Sequence, residues 1–211
     1  MNLIRDSFQN ATVGIGVADE PGALQTIHDP GCAAVVWRRQ PLPDFQNWID
    51  DLDPERLPKA RLILRPEFVR EAVEAVCDEA GTPAGPERDR LIDDAAALAD
   101  VFAKVAKAPF LRLRLDVVTG NACRKFHIDA LTIRLVCTYR GTGTQYGVPT
   151  GDEDPKRVFT VPTGSLIVLR GTAYPTGPKS GLLHRSPPIE GTGETRLVLV
   201  LDPIIDPDEE V

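Results

Sequence analysis

Residues 110–118 read FLRLRLDVV. Leu111, Leu113, Leu115 and Val117 alternate with Arg112, Arg114 and Asp116, and a period of two places the apolar residues on one side of an extended chain and the charges on the other. The stretch is a half-buried β-strand. Beyond residue 118 the chain repeats that pattern in shorter pieces. Segments 131–139 (LTIRLVCTY), 158–161, 165–169 and 196–201 are β-rich, and GTGTQYG, PTG, RGTAYPTGPKSG and EGTGE between them carry the glycines and prolines of turns. Short strands at this spacing predict a sandwich or barrel.

Upstream of residue 110 the period lengthens. FVREAVEAVCDE (68–79) places Phe68, Ala72 and Val76 on one helical face, with Gly81 behind it as a stop. Across 88–107 the residues Leu91, Ala95, Leu98, Phe102 and Val105 recur every three or four, and Pro109 closes the pattern. PDFQNWIDDL has helical spacing around Phe45, Trp48 and Leu52, while 33–38 (AAVVWR) and 61–64 read as short strands. Trp37 and Trp48 sit among apolar residues and are expected in the core. The expected architecture is α+β, one domain over 1–211: a helical N-terminal portion at about 1–108, a β portion at about 109–202 and an acidic tail at 203–211.

Composition narrows the function classes. A chain of 211 residues with 42% hydrophobic content fills one domain. No apolar run approaches the roughly 18 residues that a membrane helix needs. With 24 Lys plus Arg against 31 Asp plus Glu, the net charge of -7 repels polyanions, and the scattered basic residues argue against nucleic acid as a partner. MNLIRDSFQN lacks the apolar stretch of a signal peptide, so the cytoplasm is the expected location. The four cysteines form no C-x-x-C pair and read as reduced, buried thiols.

Any metal site must draw on few imidazoles, because the chain has 3 histidines. His28, in TIHDPG, reads as a surface turn residue. His127 and Asp129, in CRKFHIDALTIRL, stand two apart, and on a strand both would project from one face toward one ion. Alone, such a pair is equally an ion pair or a turn. The third element is His184, which comes after a Gly/Pro-rich loop and precedes the last β-rich run. Two imidazoles and one carboxylate leave open coordination positions, the arrangement of non-haem Fe(II) oxygenases. Zn(II) takes the same ligands with a water in the fourth position. Arg196, at the head of RLVLVLD, can hold a carboxylate bidentately or form an ordinary rim salt bridge.

In this order HID at 127–129, His184 and Arg196 resemble the Fe(II)/2-oxoglutarate-dependent oxygenases, and VPTGSLIVL (161–169) resembles the turn before an inward-facing strand in cupin-like barrels. This resemblance covers 110–202. It implies a cupin-like double-stranded β-helix, or jelly roll, with the N-terminal helices packed on it. It also implies Fe(II) on His127, Asp129 and His184, and 2-oxoglutarate held by Arg196 and oxidised to succinate and CO₂. Where that family often has a serine, two residues beyond the arginine, this chain has Val198. Arg134, Thr138 or Tyr139 can replace the missing hydrogen bond. Alternation groups Arg134, Val136 and Thr138 on one face and Ile133, Leu135, Cys137 and Tyr139 on the other, and which face lines a cavity is open.

Beside His184, Arg185 and Ser186 are candidates for binding the substrate, a small molecule of unknown identity; their ordinary readings are a surface arginine and a turn serine before Pro-Pro. GTGTQYG is no phosphate loop, since neither Lys-Ser/Thr nor a strand-to-helix junction comes after it. Together CRKFHID, GTGTQYG and LLHRSPP are similar to an uncharacterised bacterial family of unknown function, associated with gene neighbourhoods of zinc-responsive metallochaperone GTPases. That resemblance covers most of the chain. It implies the alternative of a non-redox, zinc-binding or metal-handling protein with such a GTPase as its partner.

Overall fold

The computed structural model describes residues 11–151 and 153–210, so the reading of MNLIRDSFQN lies outside the described residues. In chain order the elements are β1 (Gly14–Ala18), β2 (Cys32–Trp37), α1 (Pro43–Asp51), β3 (Ala60–Leu64), α2 (Val69–Glu79), α3 (Pro86–Ala106), β4 (Phe110–Val118), β5 (Ile133–Arg140), β6 (Gln145–Gly147), β7 (Phe159–Thr160), β8 (Leu166–Arg170), β9 (Leu183–Arg185) and β10 (Arg196–Ile204). Seven strands form a large sheet in the order β1-β2-β8-β5-β10-β4-β3, and β7-β6-β9 form a small one. Within the large sheet β1 and β2 run parallel and the remaining pairs antiparallel.

The composition of α3 accounts for its form. Pro86 stands in its first turn, Leu91, Ala95, Leu98 and Phe102 recur on its buried face, and Lys107 ends it in the left-handed conformation. α2 corrects the expected face. A 3-10 turn at Pro66–Phe68 precedes it and resets the phase, so Val69, Val73 and Cys77 are buried and Phe68 is exposed. The expected division near residue 109 also needs correction. β1, β2 and β3 come from the first half and join the large sheet, β2 beside β8 and β3 beside β4. β10 likewise runs to Ile204, into the expected tail.

Each face of the large sheet has its own apolar cluster. Leu111, Leu113 and Leu115 of β4, Leu135 and Tyr139 of β5 and Leu197, Leu199 and Leu201 of β10 are buried together with Leu91, Leu98 and Phe102 of α3. Trp37 and Trp48 pack at the edge of this cluster. Through the sheet, Val136, Val198 and Val200 belong to a second cluster with Val161, Leu182 and Tyr146, residues of or beside the small sheet. The candidate site lies on this second side. No described helix is long and apolar enough to cross a membrane.

Candidate metal centre

His127 and His184 meet through their backbones. Each amide N–H donates to the other's carbonyl at 3.0 Å, an isolated antiparallel bridge that brings the ring centroids to 4.5 Å. His184 belongs to β9, which pairs with β6, so the small sheet carries this imidazole over the large one. His127 Nδ1 lies 2.8 Å from the Lys125 carbonyl. Donation there leaves the Nε2 lone pair free, the tautomer a metal requires.

Asp129 reaches the same point by a route that spacing alone does not describe. Neither His127 nor Asp129 belongs to a regular strand. The chain after β8 pins the Asp129 loop instead: Gly171 N–H donates to the Thr132 carbonyl, Thr172 N–H to that of Asp129 and Ala173 N–H to that of Leu131, at 2.8, 2.8 and 3.1 Å. Only glycine fits at 171, since a Cβ there would lie 2.0 Å from the Leu131 oxygen and 2.6 Å from the Asp129 oxygen.

One ligand atom from each of His127, Asp129 and His184 falls within 4.8 Å of the others, an arrangement able to hold a metal ion. The residues fit such an ion. Asp129 Oδ1 accepts a hydrogen bond from Arg134 Nη1, whereas Oδ2 is buried, stands 3.0 Å from His184 Nε2 and accepts no hydrogen bond. That oxygen is free to take a metal ion in place of a hydrogen bond. Burial pushes the Asp129 carboxyl up, but His184, Arg134 and His127 outweigh it and hold it down to about 2. It is a carboxylate at neutral pH.

These three side chains line a cavity of about 140 Å³ together with Arg134, Val136, Val198, Val200, Arg185, Ser186 and Arg196. Arg196 is 1% exposed. Its Nε donates to the Thr142 carbonyl at 2.6 Å and Nη2 reaches Thr138 Oγ1 at 3.5 Å, and no carboxylate pairs with it among the described residues. Burial pulls this guanidinium down to about 10, against the weaker pull of Glu194. The glycine-rich segment explains the placement. Gly141 has φ +77°, and a Cβ on it would stand 2.9 Å from Arg196 Cγ, so GTG folds over the arginine stem and offers it a carbonyl.

Two expected ligands of the cosubstrate have other roles. Tyr139 lies on the opposite face of β5, buried toward the helices, and its hydroxyl donates to Asp94 Oδ2 at 2.8 Å. It cannot reach the cavity. Arg134 does line the cavity, but Nε and Nη2 donate to Asp202 at 2.6 and 2.8 Å and Nη1 to Asp129. Its fork is filled, and it positions Asp129 rather than receiving a ligand. Arg185 and Ser186 stand in the cavity wall; Arg185 Nε donates to Gln145 at 2.8 Å and its guanidinium covers the Phe126 ring at 4.4 Å. Sequence reasoning missed Arg114, Asp116, Thr144 and Cys123 in the same wall. Cys123 is exposed, unlike the buried Cys32, Cys77 and Cys137. His28 is exposed as expected, with its ring between Tyr174 Oη and the Val105 carbonyl.

A family model described as protein of unknown function, DUF1826, matches residues 18–202. The chain belongs to this family. No curated protein matches it. Among solved structures, this DUF1826 chain is similar to dioxygenase for auxin oxidation 1 from Arabidopsis thaliana, in a complex with 2-oxoglutarate. The TM-score is 0.53, with 10% identity, over 93% of this chain and 94% of that one. The rice dioxygenase for auxin oxidation gives a TM-score of 0.53 and 12% identity over 93% and 84% of the two chains. At such identities the likeness is one of fold, the jelly roll of 2-oxoglutarate oxygenases.

Proposed function

We propose that the protein is a non-haem Fe(II)- and 2-oxoglutarate-dependent oxygenase acting on a small molecule, its N-terminal helices bracing a double-stranded β-helix, at work in the cytoplasm. The observation that carries the proposal is Arg196: a buried guanidinium without a carboxylate partner among the described residues, in the cavity that also holds the His127, Asp129 and His184 group. A charge is costly to bury alone, and a site that awaits an anion accounts for the cost.

His127, Asp129 and His184 would hold the iron, leaving positions open for cosubstrate and O₂. The metal supplies the oxidative chemistry when bound, coupled to conversion of 2-oxoglutarate into succinate and CO₂. The chain's own residues select and orient. Arg134 and Asp202 aim Asp129 with Oδ2 inward, and the Lys125 carbonyl fixes the His127 tautomer. Arg196 takes the far carboxylate of 2-oxoglutarate as a fork, and Thr138, whose hydroxyl stands beside that fork, supplies the hydroxyl that Val198 lacks. Arg185 and Ser186 face the substrate.

Metal analysis of protein purified without chelator, then calorimetric titration of the anaerobic Fe(II) form with 2-oxoglutarate and a succinate-release assay in air, tests this. Binding abolished by His184→Ala, and slow succinate release without added substrate, are expected. Zinc retained with no 2-oxoglutarate binding would overturn the proposal in favour of the metal-handling reading, with a metallochaperone GTPase as the partner to seek.

A further inference from the structure

The cavity contains a second arginine whose partners do not satisfy it. Arg114 projects from β4 into the wall beside Val200, its side chain 17% exposed. Its Nε is buried and has no hydrogen-bond partner among the described residues. Among the described residues its ion pair is Nη2 to Asp202 Oδ2 at 3.5 Å, and that oxygen already accepts from Arg134 at 2.8 Å while Oδ1 accepts from Arg134 at 2.6 Å. Asp202 therefore belongs to Arg134. Asp116, two residues along on the same strand face, makes no ion pair with Arg114 among the described residues.

The neighbouring strand adds to the imbalance. β3 pairs Arg61 directly across from Arg114, and like charges in such a pair destabilise a sheet. Burial, with Arg134 and Arg61 adding to it, pulls the Arg114 pKa down against the opposing effect of Asp202 and Asp116. Arg196 enters the same cavity from another point of its wall. Its backbone stands opposite Val118, four residues along β4 from Arg114, a backbone separation of about 13 Å at the rise of a strand.

We infer that Arg114 docks a carboxylate or phosphate on the molecule that enters the cavity, so that the substrate is a small organic anion bound separately from the cosubstrate. The inference rests on the oxygenase reading and names its substrate class. A pair of anionic oxygens meets the Nε and an Nη in the plane of the fork, supplies the acceptor that Nε lacks and offsets Arg61.

The test uses zinc-loaded protein saturated with 2-oxoglutarate, with benzoate and phenyl phosphate as probes. Nitrogen-15 NMR tracks the Arg114 Nε–H resonance, assigned by its absence in Arg114→Gln. A saturable shift is expected, with affinity about tenfold weaker or worse in Arg114→Gln, partial recovery in Arg114→Lys, and 2-oxoglutarate affinity unchanged in both. The stronger probe tells carboxylate from phosphate. An unmoved resonance, or equal probe affinity in the variants, overturns the inference. If Arg114→Gln fails to fold, the wild-type resonance and Arg114→Lys decide. Should 2-oxoglutarate fail to bind while the probe still moves Arg114, the cosubstrate reading falls and the anion site stands.

Discussion

Replacing Arg196 by methionine separates a functional arginine from a structural one, because the two roles predict opposite signs. The guanidinium is 1% exposed, hydrogen-bonds one carbonyl well at 2.6 Å and meets no carboxylate among the described residues. Burial lowers its pKa to about 10, a displacement worth about 3 kcal/mol against the charged form at neutral pH. Removing the charge returns that energy; stranding the Thr142 carbonyl costs about 1 kcal/mol. Ligand-free Arg196→Met should therefore be as stable as wild type or about 1–2 kcal/mol more stable. Its affinity for 2-oxoglutarate should fall by about 2–5 kcal/mol, because the far carboxylate then enters the cavity without a partner. Urea denaturation of the metal-free protein gives the first quantity and calorimetry of the anaerobic Fe(II) protein the second. Metal content should not change. A variant that is clearly destabilised yet binds 2-oxoglutarate normally would show that Arg196 holds up the GTG turn and nothing else, and would refute the reasoning.

Asp129→Asn should lose the metal and, in the metal-free protein at pH 7, about 2 kcal/mol of stability. The carboxyl is held down to about 2, so its contribution is present above the ordinary aspartate range and fades as pH falls from about 4 toward 2; urea melts at pH 7 and pH 3 should show the gap between variant and wild type closing. Gly171→Ala should cost about 2–4 kcal/mol and loosen the metal, since its Cβ would displace the backbone that fixes Asp129; a variant with unchanged melting and metal affinity would mean that the Asp129 loop is not held there.

Much of the fold is legible in residues 110–118. The alternation of FLRLRLDVV gives β4 its face toward the helices, and the longer period upstream gives α3. The same alternation conceals part of the site. Arg114 and Asp116 read as the wet side of a strand, because a polar face turned toward water and one turned toward an internal cavity leave the same pattern. The ambiguity of β5 has the same origin: both its faces hold apolar residues, and only the second sheet decides that Arg134, Val136 and Thr138 point inward. His127, Asp129 and His184 stand out because the chain has so few histidines, while the reason they meet is not visible in the sequence. The bridge between His127 and His184, and the backbone bonds from Gly171, Thr172 and Ala173, are main-chain contacts between distant segments that side-chain pattern does not encode. GTGTQYG shows the reverse case, since its glycines read as a turn and also serve to cover Arg196.

The bridge between His127 and His184 fixes when in folding a metal can act. His184 is carried by the pairing of β9 with β6 and the Asp129 loop is pinned by the chain after β8, so the ligands converge only once those contacts are in place. A divalent ion therefore finds its full ligand set only in a nearly native chain. It should leave the refolding rate almost unchanged and slow unfolding, because the small sheet cannot peel away from the large one while an ion joins His184 to Asp129. The metal is then a latch on a finished structure rather than a seed for it, and stopped-flow refolding and unfolding with and without Zn(II) would show the effect on the unfolding limb alone.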